Sequence, residues 1–190
     1  MLKKSYKTDR LVLLQSDPAL AGQTLDFYER NKAFFKEIDP LREKLFYTED
    51  FQRRALARDL RGARELTALR LWLRPKELPE NAPLIGMVAL GGITFGAFRS
   101  AFVSYKLDHE WTGLGLMAEG LAQLVEIAFE DIGLHRLEAN VMPRNTKSIA
   151  LVQRLGFENE GLAKRYLNIG GVWEDHVHMV RLNEPTTREV

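Results

Sequence analysis

Apolar and polar positions alternate along this chain with two periods, and the switches between them mark its elements. Leu11-Val12-Leu13-Leu14 is an apolar run closed by Gln15-Ser16-Asp17-Pro18, which predicts a first strand. Between Ala19 and about Asn31 the residues Leu20, Thr24, Phe27 and Tyr28 recur at helical spacing, and Pro40 ends whatever follows Phe34-Phe35. A second helix is predicted over Thr48–Arg61, with Phe51, Ala55, Leu56 and Leu60 on one side and a basic remainder. Thr67–Arg74 reads as a strand, and Pro75, Pro79 and Pro83 with Glu77, Glu80 and Asn81 make a polar connector that suits a wide hairpin loop.

Leu84–Gly92 is apolar with glycines, Thr94–Arg99 reads as a turn, and Ala101, Val103, Tyr105 and Leu107 then alternate with Phe102, Ser104, Lys106 and Asp108. Strands in succession without a helix between them imply an antiparallel meander. Gly113–Asp131 predicts the longest helix, with Met117, Leu121, Leu124, Val125, Ala128 and Phe129 on one stripe and Gly133 as its stop. His135–Val141 is a strand that sets Leu137, Ala139 and Val141 against Arg136, Glu138 and Asn140. A short helix over Pro143–Leu155 ends at Gly156. From Phe157 the chain is extended, and Tyr166–Trp173 reads as strand, glycine turn and strand, continuing to about Leu182. The predicted order is β α α β β β α β α β β in one domain over residues 1–183, an α/β (α+β) fold, with residues 184–190 expected to fray.

Composition narrows the function. The 190 residues are 45% hydrophobic and 28% charged, an ordinary globular balance. At this length roughly 70% of the unfolded surface can be buried, so the core needs no staples. Lys and Arg number 27 against 26 Asp and Glu, a net charge of +1. That gives no field able to hold nucleic acid or an anionic membrane by itself. The absence of cysteine excludes disulfides, thiolate zinc sites, iron–sulfur clusters and a thiol nucleophile, and fits a reducing compartment. The run Leu11–Leu14 is too short for a signal-peptide core or a spanning helix, so a cytoplasmic location is expected.

The chemistry gathers around Glu110-Trp-Thr-Gly113-Leu114-Gly115-Leu116-Met117-Ala118, between the alternating strand and the longest helix. A glycine turn opening a helix presents free backbone N–H groups and the positive end of the helix dipole at one point, and glycines let an anion approach the backbone. A tight turn without a ligand would look the same. Read literally, Gly113 to Ala118 also meets the dinucleotide fingerprint. That pattern requires a parallel βαβ unit with an acid ending the next strand, whereas Glu138 falls inside its strand and a meander precedes the turn. No GK[ST] follows the glycines.

The segments GLGLMAEGL, HRLEANVMPRNTKSIALVQRLGFENEG and YLNIGGVWEDHV stand in this order between about Tyr105 and Val177. Together they resemble the GCN5-related N-acetyltransferase (GNAT) superfamily, in its branch of ribosomal-protein N-terminal acetyltransferases, RimJ and RimL; the first hundred residues match only in their order of elements. The resemblance implies a mixed, mostly antiparallel seven-stranded sheet, splayed in the middle and flanked by about four helices, with acetyl-CoA as co-substrate. It implies that Gly113, Leu114, Gly115, Leu116 and Met117 cradle the diphosphate through backbone N–H groups, although Glu110 stands where the family has Gln or Arg. The strand before the motif is expected to carry a bulge and to offer backbone groups of Ser104, Tyr105, Lys106 and Leu107 to pantetheine. Asn145 matches a residue that bonds the pantetheine arm, and as a helix N-cap it would serve equally well. Ser148 matches a serine that protonates the departing thiolate, its alternative being an exposed first-turn serine.

The resemblance leaves the base open. Glu138 is the candidate, on the polar strand face with Asn140, and an ion pair with Arg136 is its structural alternative; Asp175 is the reserve. His176 and His178 lack a third ligand at useful spacing, so no metal is expected. The arginines from Arg53 to Arg64 form a solvated face or a docking surface for a ribosomal protein or nearby RNA. The expected activity is direct transfer of acetyl from acetyl-CoA to an amine, the N-terminal amine of a protein such as a ribosomal protein. Two alternatives stay open: a small amine as acceptor, and an inactive acyl-CoA-binding or ribosome-assembly module. No membrane partner is expected, nucleic acid at most indirectly, and the protein is a monomer or a homodimer.

Overall fold

In the computed structural model residues 2–183 are described, and the segment expected to fray lies outside them. Ser5–Lys7 (β1) and Leu11–Gln15 (β2) form a hairpin, followed by helices Ala21–Arg30 (α1), Lys32–Phe35 (α2) and Glu49–Arg64 (α3). Leu69–Pro75 (β3), Gly86–Thr94 (β4) and Ser100–Leu107 (β5) come next, then Leu116–Glu126 (α4), Arg136–Val141 (β6), Thr146–Arg154 (α5), Glu158–Ile169 (β7) and Val172–Leu182 (β8). The strands make one sheet in the order β1-β2-β3-β4-β5-β6-β8-β7. The sheet therefore has eight strands where seven were expected. The extra one is β1, three residues of which only Tyr6 is buried, too short to show a period. Five helices replace about four, because a single turn, α2, follows α1.

β3, β4 and β5 form the predicted antiparallel meander. β3 and most of β4 are buried on both faces, which is why they read as near-continuous apolar runs, whereas β5 keeps Phe102 and Ser104 exposed and alternates. Leu71, Leu73, Val88 and Leu90 face α4 with Leu121 and Leu124. Trp72, Met87 and Ala89 face Phe27, Tyr28 and Leu56 of α1 and α3. Gly120 brings α4 close to the sheet, since a Cβ there would lie 3.2 Å from Leu73. The long helix stops being α-helical at Glu126 and finishes as a π turn, Ile127–Asp131. No helix among the described residues is long and apolar enough to cross a membrane.

The sheet opens at its middle. β5 runs parallel to β6 only where Ser100–Phe102 face Arg136–Glu138. From Val103 to Leu107, β5 pairs with β4 alone, while β6 continues to Val141 beside β8. The register irregularity expected on β5 lies instead on β4, between Gly91 and Thr94, opposite Phe102 and Ser100.

Candidate active site

The turn that follows β5 is braced from two sides. Asp108, 1% exposed, accepts from the Glu110 backbone N–H (3.1 Å) and from Arg30 Nε (2.8 Å). Burial would raise its carboxyl, but hydrogen bonds from Asn31, Glu110 and Arg30 outweigh it and hold the pKa below the usual range. Asn31 Oδ1 accepts from the His109 backbone N–H at 3.0 Å. On the far side, Glu119 accepts from Thr8 Oγ1 (2.6 Å), Arg10 N (2.8 Å) and Arg10 Nε (2.7 Å), while Arg10 Nη1 donates to the Leu114 carbonyl at 2.9 Å. These bonds outweigh desolvation and hold Glu119 low as well. Between the braces, Gly113 and Gly115 have φ of +80° and +76°, the left-handed region that favours glycine. Gly115 is the N-cap of α4 and no side chain caps that end, so its leading N–H groups remain available. Glu110 is exposed and does not line the cavity beside the turn.

Two cavities meet at the splay. The larger, about 690 Å³, runs from Gly113, Gly115 and Met117 along Tyr105–Leu107 to Ser148, Leu151 and Arg154 of α5. The smaller, about 320 Å³, lies between Ser104, Asp39, Arg42, Arg70, Asn140 and His176. Ile38, Tyr105, Lys106, Asn145 and Ser148 line both and form the neck. Leu114 and Leu116 line neither: Leu114 is exposed and Leu116 is buried in the core.

At the neck, Asn145 is the N-cap of α5, its Oδ1 accepting from the Ser148 backbone N–H at 3.2 Å. Ser148 Oγ lies 2.5 Å from the Tyr105 hydroxyl. Burial raises the Tyr105 phenol, with the Ser148 hydrogen bond opposing it. Lys106 is paired with the Asp39 carboxylate and stands 4.9 Å from the centre of the Phe35 ring. Burial pushes its ammonium down to about 8. Asp39, 8% exposed, also faces Arg42 at 3.5 Å. Asp39 carries no motif and went unread. Lys147 and Arg154, which line the larger cavity from α5, also went unread, although seven residues apart on one helix is a legible spacing.

Glu138 stands outside both cavities. Its oxygens meet Arg136 Nε at 3.0 Å, the ion pair weighed as its alternative, and His178 Nε2 at 2.9 Å. His178 Nδ1 in turn meets Asn140 Oδ1 at 2.8 Å, and Asn140 lines the smaller cavity. Asp175 accepts from the Arg165 backbone N–H at 2.8 Å. His176 is buried with Nδ1 3.0 Å from the Glu174 carbonyl. Among the described residues no three His, Cys, Asp or Glu side chains gather as a metal-binding group.

A left-handed glycine turn on an uncapped helix, opening onto a one-sided strand edge, offers free backbone N–H groups to an anion and an unpaired edge to an extended ligand. The family profile described as an acetyltransferase (GNAT) domain matches residues 10–158. The chain belongs to the GNAT acetyltransferase family. It is 34% identical over 176 residues to the Escherichia coli [ribosomal protein uS5]-alanine N-acetyltransferase, covering 92% of this chain and 89% of that one. The Bacillus subtilis protein named Probable N-acetyltransferase YjcK is 34% identical over 163 residues, 86% of this chain and 88% of its own. The crystal structure of the ribosomal-protein-S5-alanine acetyltransferase from Vibrio fischeri superposes with a TM-score of 0.90 at 28% identity, over 96% of this chain and 98% of that one. Mycobacterium smegmatis RimJ in complex with CoA-disulfide gives 0.84 at 26% identity, over 91% and 82%. This GNAT enzyme is an N-acetyltransferase that takes acetyl from acetyl-CoA.

Proposed function

We propose that this acetyltransferase modifies the N-terminal α-amine of a protein, with ribosomal proteins the first candidates. The observation that carries the reading is the 34% identity to the uS5-alanine enzyme across 92% of this chain, an extent that includes α1 to α3 on the acceptor side. The chemistry agrees. An α-amine has a pKa of about 7.7–8.0, so a sizeable fraction is neutral near pH 7, whereas a lysine amine at about 10.4 would need a strong base. Asp39, the carboxylate of the smaller cavity, is already engaged by Lys106 and Arg42, so the amine's proton goes to water.

Acetyl-CoA supplies an activated thioester when bound, and the larger cavity would hold it. The backbone of Gly113 and Gly115 with the α4 N-terminus offers N–H groups to the diphosphate, and Lys147 and Arg154 add positive charge from α5. The free edge of β5 from Ser104 to Leu107 offers backbone donors and acceptors to the pantetheine amides. Ser148 places a hydroxyl at the neck, where a thiol leaving group of pKa about 8.5 needs only a hydrogen-bond donor. In this scheme Glu138 is a positioning residue: it holds His178, which holds Asn140 at the wall of the acceptor cavity.

The test is mass spectrometry of protein N-termini from cells with and without the protein, alongside assays of peptides starting with Ala or Ser against spermidine. Loss of acetylation at one or a few N-termini, with peptide preferred over polyamine, supports the reading. Unchanged N-termini with efficient polyamine turnover would replace it with small-amine acetylation.

A further inference from the structure

We infer that the Tyr105 side chain is a positioning residue that fixes Ser148 as the hydrogen-bond donor toward the departing sulfur, an inference that rests on the acetyl-transfer reading of Ser148 above. The two residues come from different elements, β5 and α5, and their oxygens lie 2.5 Å apart at the neck shared by both cavities.

A pair of hydroxyls leaves open which one donates. A phenol, with a pKa of about 10, is a far more acidic donor than an aliphatic hydroxyl, and the serine oxygen is the better acceptor. Burial keeps the Tyr105 phenol protonated. The Ser148 carbonyl, the other acceptor in reach of the phenol, is at 3.4 Å, so Tyr105 donates to the nearer Ser148 Oγ at 2.5 Å, and the Ser148 hydrogen is left without this partner. Among the described residues Ser148 Oγ has no second hydrogen-bond partner, so its hydrogen turns toward the cleft. The backbone of Ser148 is held independently, since Asn145 Oδ1 accepts from its N–H at 3.2 Å. A serine pinned at both its amide and its oxygen points one way, and pre-aligned donors cost no reorganisation when negative charge develops.

The proton balance is closed. As the acceptor nitrogen bonds the acetyl carbon, the carbon–sulfur bond breaks and its electron pair leaves with the sulfur, where it accepts a hydrogen bond from Ser148. The acceptor nitrogen sheds its proton to water, and the thiolate takes one back from water when it is protonated at all, while Ser148 and Tyr105 keep theirs. The protein ends with the charge it began with.

The test reads a thiol, not turnover alone. CoA is bound to the protein and its thiol is titrated through the ultraviolet absorbance of the thiolate. In the wild-type protein the bound thiol titrates below the free value of about 8.5. In Tyr105→Phe it moves back up by about one pH unit, and in Ser148→Ala it returns to the free value. In parallel, Tyr105→Phe lowers kcat by about tenfold with the KM for acetyl-CoA within about twofold. The double variant is no slower than Ser148→Ala, because Tyr105 acts through Ser148. Replacement of Tyr105 by a fluorotyrosine, which keeps the shape and sharpens the donor, pulls the bound thiol lower and keeps the idea testable if Tyr105→Phe folds poorly. A bound thiol that titrates alike in wild type, Tyr105→Phe and the fluorotyrosine protein, or additive losses in the double variant, would overturn the inference. Wild-type protein that neither binds CoA nor acetylates any amine would instead remove the underlying reading.

Discussion

Arg30 Nε donates to the buried Asp108 carboxylate at 2.8 Å, tying the end of α1 to the residue that opens the glycine turn. The same guanidinium donates to the Leu84 carbonyl at 2.8 Å and pairs with Asp26. One side chain thus holds α1, the entry to β4 and the glycine turn together. Removing one partner of a buried pair leaves the other charge unpaired, which costs about 3 kcal/mol or more. Arg30→Ala, which leaves the buried Asp108 carboxylate without its cation, is expected to lose about that much stability in urea unfolding. Asp108→Ala should cost less in stability, because Arg30 is partly exposed and keeps Asp26, and should weaken CoA binding. The double variant should fall short of the sum, as residues in one network do.

Both braces of the turn end on a carboxylate, which gives the site an acid limb. Asp108 and Glu119 are each held below their ordinary pKa by hydrogen bonds that outweigh desolvation. A depressed folded-state pKa means that the unfolded chain binds more protons, so the stability is present above the ordinary values of about 3.9 and 4.3. It is lost as pH falls through the lower folded values. Thermal unfolding followed from pH 6 down to about 3 should show a wild-type decline that Asp108→Asn and Glu119→Gln flatten. Parallel curves for wild type and variants would contradict this.

Glycines in this chain are not equivalent, and alanine distinguishes them. Gly115 has φ +76°, a conformation an L side chain rarely adopts, so Gly115→Ala strains the turn even though its Cβ would make only ordinary contact, 3.5 Å, with Arg10. The KM for acetyl-CoA should rise about tenfold or more, while kcat at saturation changes little. At Gly22 of α1 nothing lies within 4 Å, and its backbone is helical. There alanine should stabilise the protein by about 0.5–1 kcal/mol without touching either kinetic constant. Gly86→Ala belongs to a third class: its Cβ would meet the Lys106 carbonyl oxygen at 2.6 Å, so β4 must push the cofactor edge of β5 aside. Lower stability and weaker CoA binding should appear together.

These contrasts show what could be read from the chain and what could not. The alternation from Ala101 to Leu107 and the glycines at 113 and 115 are local patterns, and they located the strand and the left-handed turn after it. Asn145 and Ser148 were legible because an N-cap and its third residue lie on one turn. What escaped is made by residues far apart in sequence. Arg10 reaches Glu119 across 109 positions and Lys106 reaches Asp39 across 67. Glu138 was correctly placed on a polar strand face, but only the pairing of β6 with β8 brings His178 beside it and occupies its carboxylate. β1 escaped because three residues with one buried side chain show no period, yet the turn after it supplies Thr8 and Arg10 to the brace of the glycine turn.

The Asp39–Lys106 pair at the neck tests how charge is managed there. Asp39 is a carboxylate between two cations, Lys106 and Arg42, in a largely dry wall. Asp39→Asn leaves both cations facing a neutral amide, so it should destabilise by about 3 kcal/mol, more than Lys106→Met, after which Asp39 still has Arg42. The alkaline limb supplies a second readout. Burial lowers Lys106 from 10.5 in the unfolded chain to about 8 in the folded protein. Between those values the unfolded chain binds the extra proton, so folding becomes more favourable as pH rises. The stability of wild type relative to Lys106→Met should therefore grow from about pH 8 toward 10, measured by urea unfolding at matched ionic strength. A difference that stays flat across that range would mean that Asp39 holds Lys106 charged in the folded state, and the neck would then keep a permanent ion pair beside the incoming amine.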